Sequence, residues 1–138
     1  MARILVIDDE LILRQLFERV LRSEGHEVVV AANGREGLVM MNPQPPDLIL
    51  LDLVMPVMDG MSFLRSMRRR AEWKDIPVIV VSGVIDRHQV LSVKELGVVD
   101  YMLKAGFEMG DLRARLAKHL PKAKGKKSGS ALPAANPA

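Results

Sequence analysis

Asp47-Leu48-Ile49-Leu50-Leu51-Asp52-Leu53-Val54-Met55-Pro56-Val57-Met58-Asp59-Gly60 is the stretch from which the fold can be read. Leu48 to Leu51 are four branched apolar residues in a row, without the alternation of a half-exposed strand. Such a run suits a strand buried on both faces of a parallel sheet. A carboxylate, Asp52, ends it. A turn-rich segment with Pro56 follows, and Asp59 then stands where it can cap a helix whose buried side is marked by Phe63, Leu64 and Met67.

The same grammar repeats outward in both directions. Arg3–Ile7, Glu27–Ala31, Val78–Val81 and Val98–Leu103 are further short branched runs. Helical spacing fills the gaps between them. Leu11, Leu13, Leu16, Phe17, Val20 and Leu21 fit one broad stripe closed by Gly25. Gly37, Leu38, Met40 and Met41 follow Asn33 and stop before Pro43, Pro45 and Pro46. Val90, Leu91 and Val93 mark a fourth helix ending near Gly97, and Leu112, Leu116 and Leu120 a fifth, stopped by Pro121. Five strand–helix units in strict alternation predict an α/β fold: a doubly wound five-stranded parallel sheet flanked by five helices. In such a sheet the functional residues gather at the carboxyl ends of the strands.

Composition narrows the class. The chain has 138 residues, about half of them apolar, enough for one domain with a single core. There is no cysteine, which excludes disulfides and thiolate metal sites. No apolar run approaches the roughly 18 residues of a membrane span, and the N-terminus lacks a signal-peptide layout; a cytoplasmic protein is expected. The net charge of +3 misleads. Lys122, Lys124, Lys126 and Lys127 follow Pro121 with no acid among them, and without those four residues 1–120 carry a net charge of −1. The domain itself is therefore not read as a nucleic-acid binder. The division expected is a domain over 1–120 and a disordered basic, Pro-Ala-rich tail or linker over 121–138.

The strand ends carry the chemistry. Asp8-Asp9 follow the first run, Asp52 the third, Ser82-Gly83 the fourth, and Lys104 the fifth. A parallel sheet brings all of them to one edge. Carboxylates that close repel one another unless a cation intervenes, and three hard oxygen ligands at a wet edge suit Mg²⁺. Lys104 adds a fixed positive charge, and Ser82 can donate to an oxyanion. The set is suited to holding a phosphoryl group, with Asp52 on the central strand as nucleophile.

On these residues the chain resembles the receiver domain of two-component response regulators, the CheY-like family with a flavodoxin-like fold. The matching segments are Ile4 to Glu10, Asp47 to Gly60, Pro77 to Gly83 and Gly97 to Lys104, within a resemblance covering about residues 2–120. It implies that Asp52 is the phosphoacceptor, and that Asp9 and Asp52 bind Mg²⁺ with Asp8 close by or acting through water. Val54 would lend the metal its backbone carbonyl. Ser82 and Lys104 would contact the phosphoryl oxygens, and Tyr101 would occupy the aromatic switch position. A sensor histidine kinase or a His-phosphotransfer protein would be the donor. The fourth helix, fifth strand and fifth helix would present an altered face to an unknown output protein. A monomer or weak dimer, with no membrane partner, is expected. Val54 and Val84 flank the phosphoryl by the same resemblance and, being apolar, would slow its hydrolysis. The family usually places a cis proline after the lysine; here Ala105 stands there. A trans bond is expected, with Gly106 absorbing the change and Lys104 less firmly aimed.

Other readings compete. An aspartyl-phosphate phosphatase would be an enzyme, but that class usually carries a second Asp two residues after its nucleophile, where this chain has Val54. A nucleotide-binding domain would need glycine in the Asp9–Leu11 turn. A degenerate receiver would have lost part of the charged set. The reading adopted is a signalling protein rather than an enzyme, with only self-phosphorylation and self-dephosphorylation chemistry. A stand-alone regulator is favoured over the receiver of a longer protein. Asp59 and Asp86 read as helix caps, His26, His88 and His119 as surface residues, Met40, Met41 and Met67 as core filler, and Arg68-Arg69-Arg70 as a solvated helix end. Trp73 is placed beyond the third helix, away from the acidic edge.

Overall fold

The computed structural model describes residues 2–83, 86–106 and 108–120. The expected tail over 121–138 lies outside them. Five strands, β1 (Arg3–Ile7), β2 (Glu27–Ala31), β3 (Leu48–Leu51), β4 (Val78–Ser82) and β5 (Asp100–Leu103), alternate with α1 (Leu11–Ser23), α2 (Gly34–Met40), α3 (Gly60–Arg68), α4 (Arg87–Glu95) and α5 (Met109–His119). All strand pairs are parallel, in the order β2-β1-β3-β4-β5. The chain thus winds one way from β1 to β2 and the other way from β3 onward, and the reversal lies between β1 and β3.

Strand geometry sends alternate side chains to opposite faces. From β3, Leu48 and Leu50 join Phe17, Leu21, Leu112 and Leu116 under α1 and α5. Ile49 and Leu51 join Phe63, Leu64, Met67 and Val93 on the face covered by α2, α3 and α4. Every residue of β3 is buried, as the unbroken apolar run requires.

Helix ends follow local chemistry. Asn33 caps α2 by accepting from the Glu36 amide, and the Glu36 carboxylate accepts in return from the Ala32 amide. Asp59 and Asp86 cap α3 and α4 by accepting from the amides of Ser62 and His88. Both aspartates do what the sequence suggested. β5 starts two residues later than its apolar run, because the Val98 amide is spent on the Val93 carbonyl closing α4.

Several surface assignments change. In α1 the buried line is Phe17 and Leu21, with Leu13 packed beside them, while Leu11 and Leu16 on its flank are exposed. Met41 and Met67 are in the core, but Met40 is partly exposed. His88 is exposed as expected; His26 and His119 are half-buried and engaged. His26 Nδ1 accepts from the Ala2 amide, and His119 meets Asp100, which also pairs with Arg115. These contacts tie α5 to the start of β5.

The largest departure is Arg68. It is no solvated helix end. Its guanidinium donates to the carbonyls of Leu96 at 2.7 Å, Ile76 at 2.8 Å, Lys74 at 2.9 Å, and Trp73 and Gly97 at 3.3 Å. One side chain of α3 thereby fastens the segment before β4 to the turn after α4. Trp73 is buried beyond α3, as expected, with Arg70 stacked over its ring at 4.4 Å.

Candidate functional site

The carboxyl edge of the sheet gathers the charged residues by extending its ladder one step past the strands. The Asp8 amide donates to Ala31 O, the Asp52 amide to Ile7 O, and the Lys104 amide to Ser82 O, at 2.8–3.0 Å. Backbone bonds therefore set the heights of Asp8, Asp52 and Lys104 relative to one another. Gly60 packs directly under the Asp52 backbone: a Cβ there would lie 2.3 Å from Asp52 O. Only glycine permits α3 to begin so close. The loop between Asp52 and Gly60 turns sharply at Val57, which has φ +71 and is bracketed by a bond from the Met58 amide to Pro56 O.

Asp8, Asp9 and Asp52 can each offer an oxygen such that all three lie within 4.8 Å of one another. Asp8 and Asp52 are only 2 % exposed, whereas Asp9 faces solvent. Lys104 Nζ sits among them, 2.9 Å from Asp52 Oδ2 and 3.3 Å from Asp8 Oδ2. Ser82 is fully buried at the same edge, and its hydroxyl makes no well-formed hydrogen bond among the described residues. The half-buried Tyr101 phenol is near enough to influence it.

The electrostatics are those of an under-neutralised cluster. Burial, with a further push from the Asp8 charge, raises the Asp52 carboxyl to about 6 even though Lys104 and the Val54 amide oppose the rise. Burial likewise raises Asp8 against the Glu10 amide and Lys104. Burial alone would lower Lys104, but Asp52, Asp8 and Glu10 outweigh it and hold the ammonium above its ordinary value. One ammonium thus pairs with three carboxylates, counting Glu10 at 3.5 Å, and Asp9 adds a fourth to the cluster. Hard oxygen donors with one face open to water and a deficit of positive charge fit a divalent cation such as Mg²⁺.

All the expected site residues converge on this edge except Val84, which lies outside the described residues. Val54 adjoins it, with its amide 3.3 Å from Asp52 Oδ1 and its side chain exposed. The Lys104–Ala105 bond is trans and Gly106 has φ +84, as expected. The expected loose aim of Lys104 is not found: the ammonium is held by two buried carboxylates. Two contributors went unread in the sequence. Glu10 supplies Lys104 with another carboxylate, a role its place after the acidic pair could have suggested. Arg14, one helical turn further on, donates to Asp8 O at 2.8 Å, and nothing in its immediate sequence marks it.

Comparison with known proteins agrees with this geometry. The family model described as response regulator receiver domain matches residues 4–117. Sporulation initiation phosphotransferase F of Bacillus subtilis is 34 % identical over 119 residues, which is 86 % of this chain and 94 % of that protein. A probable transcriptional regulator, ycf27, of Cyanophora paradoxa is 37 % identical over 114 residues, 83 % of this chain but 46 % of that one. The chain spans about half the length of the transcriptional regulators it matches. Among solved structures, chemotaxis protein CheY4 of Vibrio cholerae superposes with a TM-score of 0.81 at 29 % identity, covering 87 % of this chain and 99 % of that one. No helix among the described residues is long and apolar enough to cross a membrane. Homology to two-component response regulators supports a place in phosphorelay signalling. The family match runs without a break from β1 into α5, which takes in the whole sheet and both helical layers, and the chain therefore belongs to the response regulator receiver domain family.

Proposed function

We propose that this domain is a phosphorylation switch in which Asp52 takes a phosphoryl group from a phosphohistidine on a sensor histidine kinase or a His-phosphotransfer protein. The observation that carries the reading is the single ammonium among four carboxylates at the sheet edge. An Asp52 oxygen attacks phosphorus, the P–N bond to the donor imidazole breaks, and the released nitrogen keeps its electron pair. The product is an acyl phosphate, which water later cleaves at phosphorus to give inorganic phosphate. Asp8, Asp9, Asp52 and the Val54 carbonyl would hold Mg²⁺, which when bound neutralises charge on the phosphoryl oxygens. Lys104 passes from Asp52 Oδ2 to a phosphoryl oxygen as the carboxylate loses its charge. The Ser82 hydroxyl supplies a further donor from a position where it has no well-formed bond of its own.

The readout lies beside that hydroxyl. Tyr101 packs against the core and helps line a groove of about 250 Å³ between α4 and β5, together with Val90, Val93, Val98 and Val99. Movement of Ser82 toward the phosphoryl would change the ring's surroundings and with them the face formed by α4, β5 and α5. The partner on that face is a separate output protein or an output domain on the same polypeptide; the relatives include a phosphotransferase spanned almost whole and transcriptional regulators spanned by half. The receiver occupies residues 1–120 and works in the cytoplasm, as a monomer or weak dimer.

Incubation with a small phosphodonor and Mg²⁺ followed by intact mass tests the reading. One phosphoryl adduct is expected on the wild type and none on Asp52→Asn. An adduct that survives the substitution would place the phosphoacceptor elsewhere.

A further inference from the structure

Asp9 is the exposed member of the acidic cluster, and no described residue hydrogen-bonds its carboxylate. Its place must therefore be set by the backbone of the β1–α1 turn. That turn has few supports of its own. The N-cap of α1 is Glu10, which makes no side-chain cap, and the first helical turn contains no acid. What fixes the turn is Asp8. Its amide is held by Ala31 O at 3.0 Å. Its Oδ1 accepts from the Glu10 amide at 2.8 Å. Its carbonyl, directly before Asp9, accepts from Arg14 Nη1 at 2.8 Å. The first bond ties the turn to β2 and the second is internal. Only the third ties it to the body of α1 through a side chain.

We propose that Arg14 is a positioning residue for the acidic site: by holding the Asp8 carbonyl it fixes the peptide that carries Asp9, and so the convergence of the three carboxylates on a divalent cation. The inference rests on the reading of that cluster as a cation site. Arg14 acts through the backbone and needs no contact with the cation or the phosphoryl group. Residues that orient ligands from outside the coordination sphere typically change metal affinity by about 10–100-fold when removed. Arg14 holds a neighbouring peptide rather than a ligand itself, so the lower end of that range is expected.

The experiment compares wild type, Arg14→Met and Arg14→Lys, using Mg²⁺ titration followed by backbone NMR. Methionine keeps most of the apolar stem and removes the donor; lysine keeps a donor and the charge. Mg²⁺ affinity should fall about tenfold in Arg14→Met and recover largely in Arg14→Lys. Amide exchange in the metal-free proteins gives a second readout. Exchange at Glu10 should quicken in Arg14→Met while the β1 amides stay protected, which a general loss of stability would not produce. Wild-type Mg²⁺ affinity and Glu10 protection in Arg14→Met would overturn the proposal, as would lysine failing to restore either. If the wild type itself binds no Mg²⁺, the cation reading of the cluster fails, and the exchange at Glu10 still decides whether Arg14 fixes the turn.

Discussion

Two partly buried cations sit at opposite ends of this sheet, and their partners could hardly differ more. Lys104, at the carboxyl edge, is surrounded by carboxylates that hold its charge in place. Arg68, where α3 ends and β4 is about to begin, is surrounded by five backbone carbonyls, and burial pulls it below its ordinary value. The carbonyls are permanent dipoles that cannot leave, titrate or be modified. The carboxylates can do all three. Lys104 is a compact point charge able to move from one oxygen to another, whereas the planar fork of Arg68 suits several fixed acceptors at once. The first arrangement suits exchange and the second suits fastening.

The sharpest way to break this contrast is to remove the fastening. Arg68→Met keeps the aliphatic stem but leaves the carbonyls of Leu96, Lys74 and Ile76 without their donor. Each buried acceptor so abandoned costs on the order of 1–3 kcal/mol, less where water can replace the donor. Since Arg68 is only half-buried, a total loss of roughly 2–4 kcal/mol is expected, read as a lower midpoint in urea with the slope unchanged. Phosphoryl uptake at Asp52 should persist in the folded fraction. A loss well under 1 kcal/mol would mean that the clasp is mere decoration.

The second perturbation acts on the other cation's partners and should have the opposite sign. Asp52 ionises near 6 in the folded domain against an ordinary 3.8. Below 3.8 the group is protonated whether the chain is folded or unfolded. As pH rises from 3.8 to 6 the unfolded chain loses this proton first, so the folded state loses stability across that window and stays at the lower level above it. Asp52→Asn removes the effect. The variant should be more stable than wild type by up to about 3 kcal/mol at pH 7, and the gain should shrink toward zero as pH falls through the same window. Thermal unfolding of both proteins at several pH values reads this directly. An equal or lower melting temperature for Asp52→Asn at pH 7 would show that Lys104 neutralises the cluster fully.

How far the two ends could be read from the sequence differs for the same reason. The acidic edge was legible because its members stand at or just past the ends of β1, β3, β4 and β5, and a parallel sheet aligns strand ends whatever its strand order. Asp8, Asp9, Asp52, Ser82 and Lys104 needed only the alternation of branched runs and helical stripes to be brought together. Arg68 obeys no such rule. Its acceptors are main-chain carbonyls, and the carbonyls of residues 73–76 look in sequence like any others. The long side chains of Arg68 and Arg14 reach partners fixed only by the packing of α3 or by the turn ahead of α1. Exposure on α1 was misjudged for a related reason. Leu11 and Leu16 belong to a broad apolar stripe, but the sheet covers only the line through Leu13, Phe17 and Leu21.

The smallest expected effect separates three neighbours that the sequence presents as one basic run. Arg68 turns inward, Arg69 is exposed, and Arg70 lies over the Trp73 ring at 4.4 Å while pairing with Glu72 at 2.8 Å. Arg68 is the last residue of α3, Arg69 its C-cap and Arg70 the first residue beyond, so the three adjacent arginines cannot share one environment. An exposed cation over an aromatic face contributes about 0.5–1 kcal/mol, and an exposed ion pair between residues two apart adds little. Arg70→Ala should therefore cost at most about 1 kcal/mol and Arg69→Ala nothing measurable, beside the larger loss at Arg68. Trp73 provides an independent reporter, because it is buried and Arg70 stacks on its ring. Its fluorescence should shift in Arg70→Ala and stay unchanged in Arg69→Ala. Equal costs for all three substitutions would restore the solvated-run reading and remove the distinction between a clasped cation and its surface neighbours.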